Sequence, residues 1–379
     1  MEERKIRVAI THGDTNSIGY ELIFKTLSEP EMLEMCTPIV YGSPKVATYH
    51  RKVLATQTQF SIIHQAEEAM EGKLNLLAAL EDDVKVDMGT ATPESGTAAM
   101  KSLDRAMTDF RRGLFDVLVT APVNKSNAQM DGYPFPGHTQ FLETCIGEGS
   151  TALNVYVNDK MRVASVTGVE PLRRVADEIT IEGIVAKATL LQQTLRRDFR
   201  VSNPRLAILA LNPVVSGELG REEKEIILPA IEKLAEKDIQ AFGPYSADMF
   251  FGKGYYADFD ATLAMYYDQA RIPFRSISDE EGVVYTAGLP LIRTSVDMET
   301  RYDIAGRGKA DETGFRQALY VAMDVFRNKM MYEEPMANPL PKLYHEKRED
   351  GERARFAIPK KHTGDPFPSS KTEKPSTDA

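Results

Sequence analysis

The chain has 379 residues, 42% hydrophobic and 27% charged, with a formal net charge of −10. That length can bury a large core and allows two to three domains or one large two-lobed unit. The acidic balance argues against a nucleic-acid partner for the main body, while a local basic pocket can still hold a phosphorylated small molecule.

The first residues, Met-Glu-Glu-Arg-Lys-Ile-Arg-Val, contain no apolar signal region,. No apolar stretch approaches the roughly 20 residues needed to span a bilayer. The expectation is a cytoplasmic protein with no membrane partner. Cys36 and Cys145 are the only cysteines. Two distant residues cannot build a thiolate metal site, and free thiols in a reducing compartment are expected.

Short β-branched runs predict strands over residues 6–10, 38–41, 117–120, 153–157, 162–166, 206–211 and 261–266. Several are continuously apolar, as in strands covered on both faces. Residues 181–199 place Ile181, Ile184, Val185, Ala188, Leu191 and Leu195 on one helical stripe, with Thr180 as N-cap,. Residues 315–326 repeat that pattern. Strands alternating with helices predict an α/β fold with a mostly parallel sheet, and such sheets bind ligands at the carboxyl ends of their strands. From about residue 331 the composition turns to Pro, Lys, Glu and Ser. Residues 331–379 are therefore expected to form a polar extension, with a disordered end over 360–379.

Four loops can carry chemistry. Residues 11–21 follow the first strand, and Gly13 and Gly19 permit a tight turn into a helix end that can hold an anion. A plain connection capped by Asp14 or Asn16 reads equally from the spacing. The second loop ends in Lys125, a point charge for carboxylate or phosphate or simply an exposed lysine. In the third, Pro136 and Gly137 frame His138 and Thr139, a donor pair suited to phosphate. The fourth group comprises Asp248, Asp268, Arg275, Arg293 and Asp297, with Arg307 and Lys309 in a glycine loop. Arg293 can fork onto an anion or form an internal ion pair with Asp297 or Asp303. The glycine spacing of a Rossmann dinucleotide loop is absent.

In this order, from about residue 5 to 328, the motifs resemble the 4-hydroxythreonine-4-phosphate dehydrogenase family, PdxA. The matching stretches are 11–21, 121–125, 137–139, 211–213, 264–269, 288–295 and 305–311. The resemblance implies an isocitrate/isopropylmalate dehydrogenase-like two-lobed fold. Residues 1–330 would form one catalytic unit with its cleft between the lobes, working as a homodimer. It implies oxidation of 4-phosphooxy-threonine by NAD or NADP, then loss of carbon dioxide, on the route to pyridoxal phosphate. It also implies a divalent metal held by three histidines drawn from both subunits.

The positions where those histidines are expected carry Val169, Val214 and Tyr267. The six histidines are His12, His50, His64, His138, His345 and His362, none near these positions in sequence. Valine has no lone pair to donate, and neutral tyrosine is a poor ligand for the usual divalent ions. The expectation is therefore no metal ligand at these positions and impaired metal-dependent chemistry. Substrate binding would rest on His138, Thr139, Arg275, Arg293 and Lys125, with Arg275 standing where a phosphate-contacting lysine is usual. Asp248, Asp268 and Tyr267 are the candidate acid–base residues. The alternatives are a non-catalytic phosphate-ligand-binding or regulatory homologue, and a metal-independent dehydrogenase of a related acid with Tyr267 as general acid.

Overall fold

A strand covered on both faces has no polar side, and Cys36–Gly42 and Val117–Thr120 are buried at every position,. They belong to one sheet in a computed structural model that describes residues 4–80, 84–130, 138–147, 149, 151–213, 219–278 and 282–338. The side chains of residues 128–130 and 138 fall outside that set. The chain divides into two units, Met1–Pro335 and Met336–Ala379. In the second, the described residues 336–338 are exposed. The remainder of the expected extension, including 360–379, lies outside the described residues.

The strands are β1 (Ile6–Thr11), β2 (Cys36–Gly42), β3 (Ser61–Ile63), β4 (Asn75–Ala78), β5 (Val117–Thr120), β6 (Leu153–Val157), β7 (Arg162–Ser165), β8 (Arg205–Leu209), β9 (Gln240–Tyr245), β10 (Ala261–Ala264), β11 (Val283–Ala287) and β12 (Ile292–Val296). They form a 12-stranded sheet in the order β3-β4-β2-β1-β5-β12-β11-β6-β7-β10-β8-β9. Its flanks are parallel. At its centre β11 runs antiparallel to both β12 and β6, and β6 antiparallel to β7. The parallel strands on one side therefore run opposite to those on the other. The mostly parallel α/β expectation holds; the antiparallel centre was not foreseen, because β11 and β12 lie in a stretch read as a motif-bearing loop.

The helices are α1 (Gly19–Leu27), α2 (Pro30–Met35), α3 (Pro44–Val53), α4 (Pro93–Arg111), α5 (Lys125–Met130), α6 (His138–Ile146), α7 (Leu172–Glu178), α8 (Ile181–Arg197), α9 (Leu228–Ala235), α10 (Ala247–Gly252), α11 (Tyr267–Ile277) and α12 (Thr313–Ala337). Thr180 caps α8 as expected, its hydroxyl accepting from the Gly183 amide at 3.0 Å. Ile184, Ala188, Leu191 and Leu195 form its buried stripe. In α12 the buried stripe ends at Val325, yet the helix continues to Ala337 with Met330 and Met331 exposed.

Helix α11 matters most for the site. Ala270 and Phe274 are fully buried and belong to a cluster with Tyr156, Val163, Ala207 and Ala264. Burying a side chain the size of Phe274 contributes roughly 1.5–3 kcal/mol. That apolar stripe seats α11 against β7 and β10 and fixes the direction of the polar residues beside it.

Candidate functional site

The loop after β1 is a structural knot. Residues 11–20 are buried without exception. The Asp14 carboxylate accepts from the Asn16 amide at 2.9 Å, Ser95 Oγ at 2.9 Å, Asn127 Nδ2 at 2.8 Å and the Tyr302 hydroxyl at 2.8 Å. One buried carboxylate thus ties the loop to α4, α5 and the segment after β12. At Gly19 a Cβ would stand 2.0 Å from the His12 carbonyl oxygen, so the backbone packs too closely for any side chain,. The helix end behind this loop is occupied by protein. The anion-holding alternative for residues 11–21 gives way to the connecting one.

The candidate cavity lies instead over the antiparallel centre of the sheet. Its volume is about 870 Å³, and its walls include Lys125, Thr139, Asn154, Tyr156, Val169, Tyr267, Arg271, Arg275, Arg293, Asp297 and Tyr302. Arg293, on β12, is 5% exposed. Its Nε and Nη2 donate to Thr120 Oγ1 on β5 at 3.1 and 2.6 Å, and its Nη1 to Thr286 Oγ1 on β11 at 3.1 Å. The Thr286 hydroxyl donates in turn to Asn154 Oδ1 at 3.3 Å, and Asn154 also bonds Thr139 at 3.3 Å. Neighbouring strands hold this guanidinium through hydroxyls, and the ion pair with Asp297 or Asp303 weighed from the sequence does not form. Burial lowers its pKa to about 10.

Helix α11 presents Tyr267, Arg271 and Arg275 at successive four-residue steps on one face. Arg271 is 8% exposed. Its Nη2 stands 2.5 Å from Asp297 Oδ1, and its guanidinium lies over the Tyr156 ring at 4.4 Å and the Tyr267 ring at 5.7 Å. Burial works against its charge, but Asp297 outweighs that cost and holds the pKa above the ordinary arginine value,. Arg275 is half-exposed and reaches Asp297 at 3.3 Å and Glu299 at 3.4 Å. Lys125, the first residue of α5, has its pKa lowered by burial and then by the charges of Arg271 and Arg293. These cations share one electrostatic field and repel one another, which is the condition for trapping an anion.

Seven of the residues singled out from the sequence therefore line one cavity: Lys125, Thr139, Val169, Tyr267, Arg275, Arg293 and Asp297. Asp248 and Asp268 do not. Asp248 is exposed at the start of α10, where the Ser246 hydroxyl donates to its carboxylate and lowers its pKa. Asp268 is exposed in the first turn of α11, a place where a carboxylate favours the helix dipole. The His138 side chain and Val214 lie outside the described residues. Arg271 was missed, although its spacing from Tyr267 and Arg275 was the available signal.

The wall does not fit a divalent metal. Val169 and Tyr267 offer no good donor. Of the carboxylates on the wall, Glu143 accepts from the Ala152 amide at 2.7 Å, and Asp297 and Glu299 are paired to arginines. Among the described residues, no group of three or more His, Cys, Asp or Glu is placed to hold a metal ion.

The family model described as pyridoxal phosphate biosynthetic protein PdxA matches residues 34–322. The chain belongs to the PdxA family. Among PdxA relatives, it is 49% identical over 358 residues to the 4-hydroxythreonine-4-phosphate dehydrogenase of Bacteroides thetaiotaomicron, covering 94% of this chain and 98% of that one. A match of that extent necessarily continues past Pro335. It is 37% identical over 336 residues to the enzyme of the same name from Prosthecochloris aestuarii, covering 85% and 98%. Among solved structures, the 4-hydroxythreonine-4-phosphate dehydrogenase of Klebsiella pneumoniae superposes with a TM-score of 0.74 at 28% identity, covering 86% of this chain and 99% of that one. The family match thus runs from α2 into α12.

Proposed function

We propose that this chain is an NAD- or NADP-dependent dehydrogenase of 4-phosphooxy-threonine, acting as a cytoplasmic homodimer in pyridoxal phosphate biosynthesis. The observation that carries the reading is the cationic cavity built by Lys125, Arg271, Arg275 and Arg293 on a PdxA scaffold. A buried, always-charged guanidinium flanked by hydroxyls suits a phosphate oxygen array. Arg293, Thr139 and Lys125, with His138 at the head of α6, form the phosphate end in this reading. Tyr267 is the member of the expected acid–base set that stands on the cavity wall.

The nicotinamide dinucleotide, when bound, accepts the hydride from the substrate's carbinol carbon. The cavity is far larger than a four-carbon phosphate requires, leaving space for a nicotinamide ring beside it. The chain's own residues hold the phosphate, orient the carbinol and keep the site positively charged. The resulting β-keto acid then loses carbon dioxide. No step is assigned to a divalent metal, because the wall residues do not suit one.

The test is a turnover assay of the full chain with 4-phosphooxy-threonine and NAD or NADP, with chelator or with added divalent ions. Reduced nicotinamide should form with the phosphorylated substrate and not with threonine. A folded protein that forms none under any of these conditions overturns the reading.

A further inference from the structure

We propose that Arg271 binds the substrate's carboxylate directly, as a fixed cation on the cavity wall, with no bridging metal ion. The inference deepens the proposed dehydrogenase reading and rests on it. Three observations converge. The side chain is 8% exposed and lines the cavity. Its Nη2 is taken up by Asp297 at 2.5 Å, whereas its Nη1 is buried and has no hydrogen-bond partner among the described residues. The plane of the group is held over the rings of Tyr156 and Tyr267.

An unpaired, buried N–H on a charged guanidinium is costly, and an ordered water, an ion or a ligand is what completes such a group. Stacking over two tyrosine rings restricts the rotation that would otherwise let the group turn away. The side chain is thus held at the cavity wall, and its ordering cost is met before the ligand arrives,. Arg293 and Lys125 already supply positive charge for one anionic group. Lys125, Lys187, Arg271, Arg275 and Arg293 line the wall against Glu143, Asp297 and Glu299, so the wall stays cationic and can accept a second anion. A small molecule carrying both a phosphate and a carboxylate matches this arrangement. The same field opposes a divalent cation, and Val169 and Tyr267 would not ligate one.

The experiment is calorimetry on chelator-treated full-length protein, using two probes. One is 4-phosphooxy-threonine; the other is 3-amino-2-hydroxypropyl phosphate, the same molecule without its carboxylate. Wild-type protein should bind the first about tenfold to hundredfold more tightly than the second, as expected for one charged hydrogen bond. Arg271→Gln should bind the two within about threefold of each other, and Arg271→Lys should recover part of the preference. Circular dichroism on each variant verifies the fold; if Arg271→Gln fails to fold, the preference of Arg271→Lys relative to wild type decides the question. Full carboxylate preference in a folded Arg271→Gln protein overturns the contact alone. So does wild-type binding of the first probe that requires an added divalent ion. Failure of wild-type protein to bind either probe, with or without metal, overturns the substrate reading itself.

Discussion

Burial moves the pKa of Arg293 down to about 10, which still leaves it protonated at neutral pH. The cavity therefore keeps a permanent charge at its most enclosed point, set between Thr120 and Thr286. If that charge serves a phosphate, ligand binding and stability must be linked. Inorganic phosphate at about 100 times its dissociation constant should stabilise the wild-type protein by about 2.7 kcal/mol. Arg293→Met should lose most of that stabilisation while keeping its fold, as read by thermal melting across a phosphate titration. An undiminished phosphate response in the variant would remove Arg293 from the binding site. Part of the cavity wall was legible at this scale. Lys125, Thr139 and Arg293 follow strands or turns whose residue types announce their direction. Arg271 was hidden because it sits inside a helix, where only three-dimensional packing tells a cavity-facing arginine from a solvated one. The exposure of Asp248 and Asp268 is a property of packing that no local pattern encodes.

Between elements, the Asp14 knot is what fixes the cavity's outer wall. Its carboxylate binds α4 through Ser95, α5 through Asn127 and the segment after β12 through Tyr302. The segment beginning α5 carries Lys125, so the knot also places a charge of the site. Removing one buried acceptor leaves several donors unsatisfied at once, each costing about 1–3 kcal/mol. Asp14→Ala should accordingly destabilise the protein by more than about 3 kcal/mol in urea denaturation. A loss below about 1 kcal/mol would show that the donors find other partners and that the knot is dispensable. Parallel strands such as β5 were legible as unbroken apolar runs. The three-residue β3 and the Gly-Pro-containing β9 were not, because short or proline-bearing strands depend on their neighbours for ladder bonds,. The β11–β12 pair was obscured for another reason. Its polar Arg293 and Ser295 line the cavity and Thr286 holds the Arg293 guanidinium, so the cavity itself breaks the apolar pattern that marks a strand.

At the scale of the whole molecule, acid should unfold the chain through buried histidines and not through the cavity's arginines. His12 and His50 are buried on either side of Tyr20, with ring centroids 5.2 and 4.9 Å from it. Burial lowers both imidazoles to about 4, and for His12 the neighbouring His50 adds to the effect. In the unfolded chain each returns to about 6.5. Between those values the unfolded state binds more protons than the folded one, so stability rises with pH there. It is complete above about pH 6.5 and falls as pH drops toward 4, by up to about 1.4 kcal/mol per pH unit for each ring. Denaturation midpoints measured from pH 7 down to 5 should therefore decline steeply. His12→Phe removes one titration and should reduce that slope by about half, whatever it does to stability at pH 7, because the slope counts protons and not contacts. A slope unchanged by this substitution would place the acid sensitivity elsewhere. Arg271 and Arg293 stay fully charged throughout this range, so neither contributes to that slope.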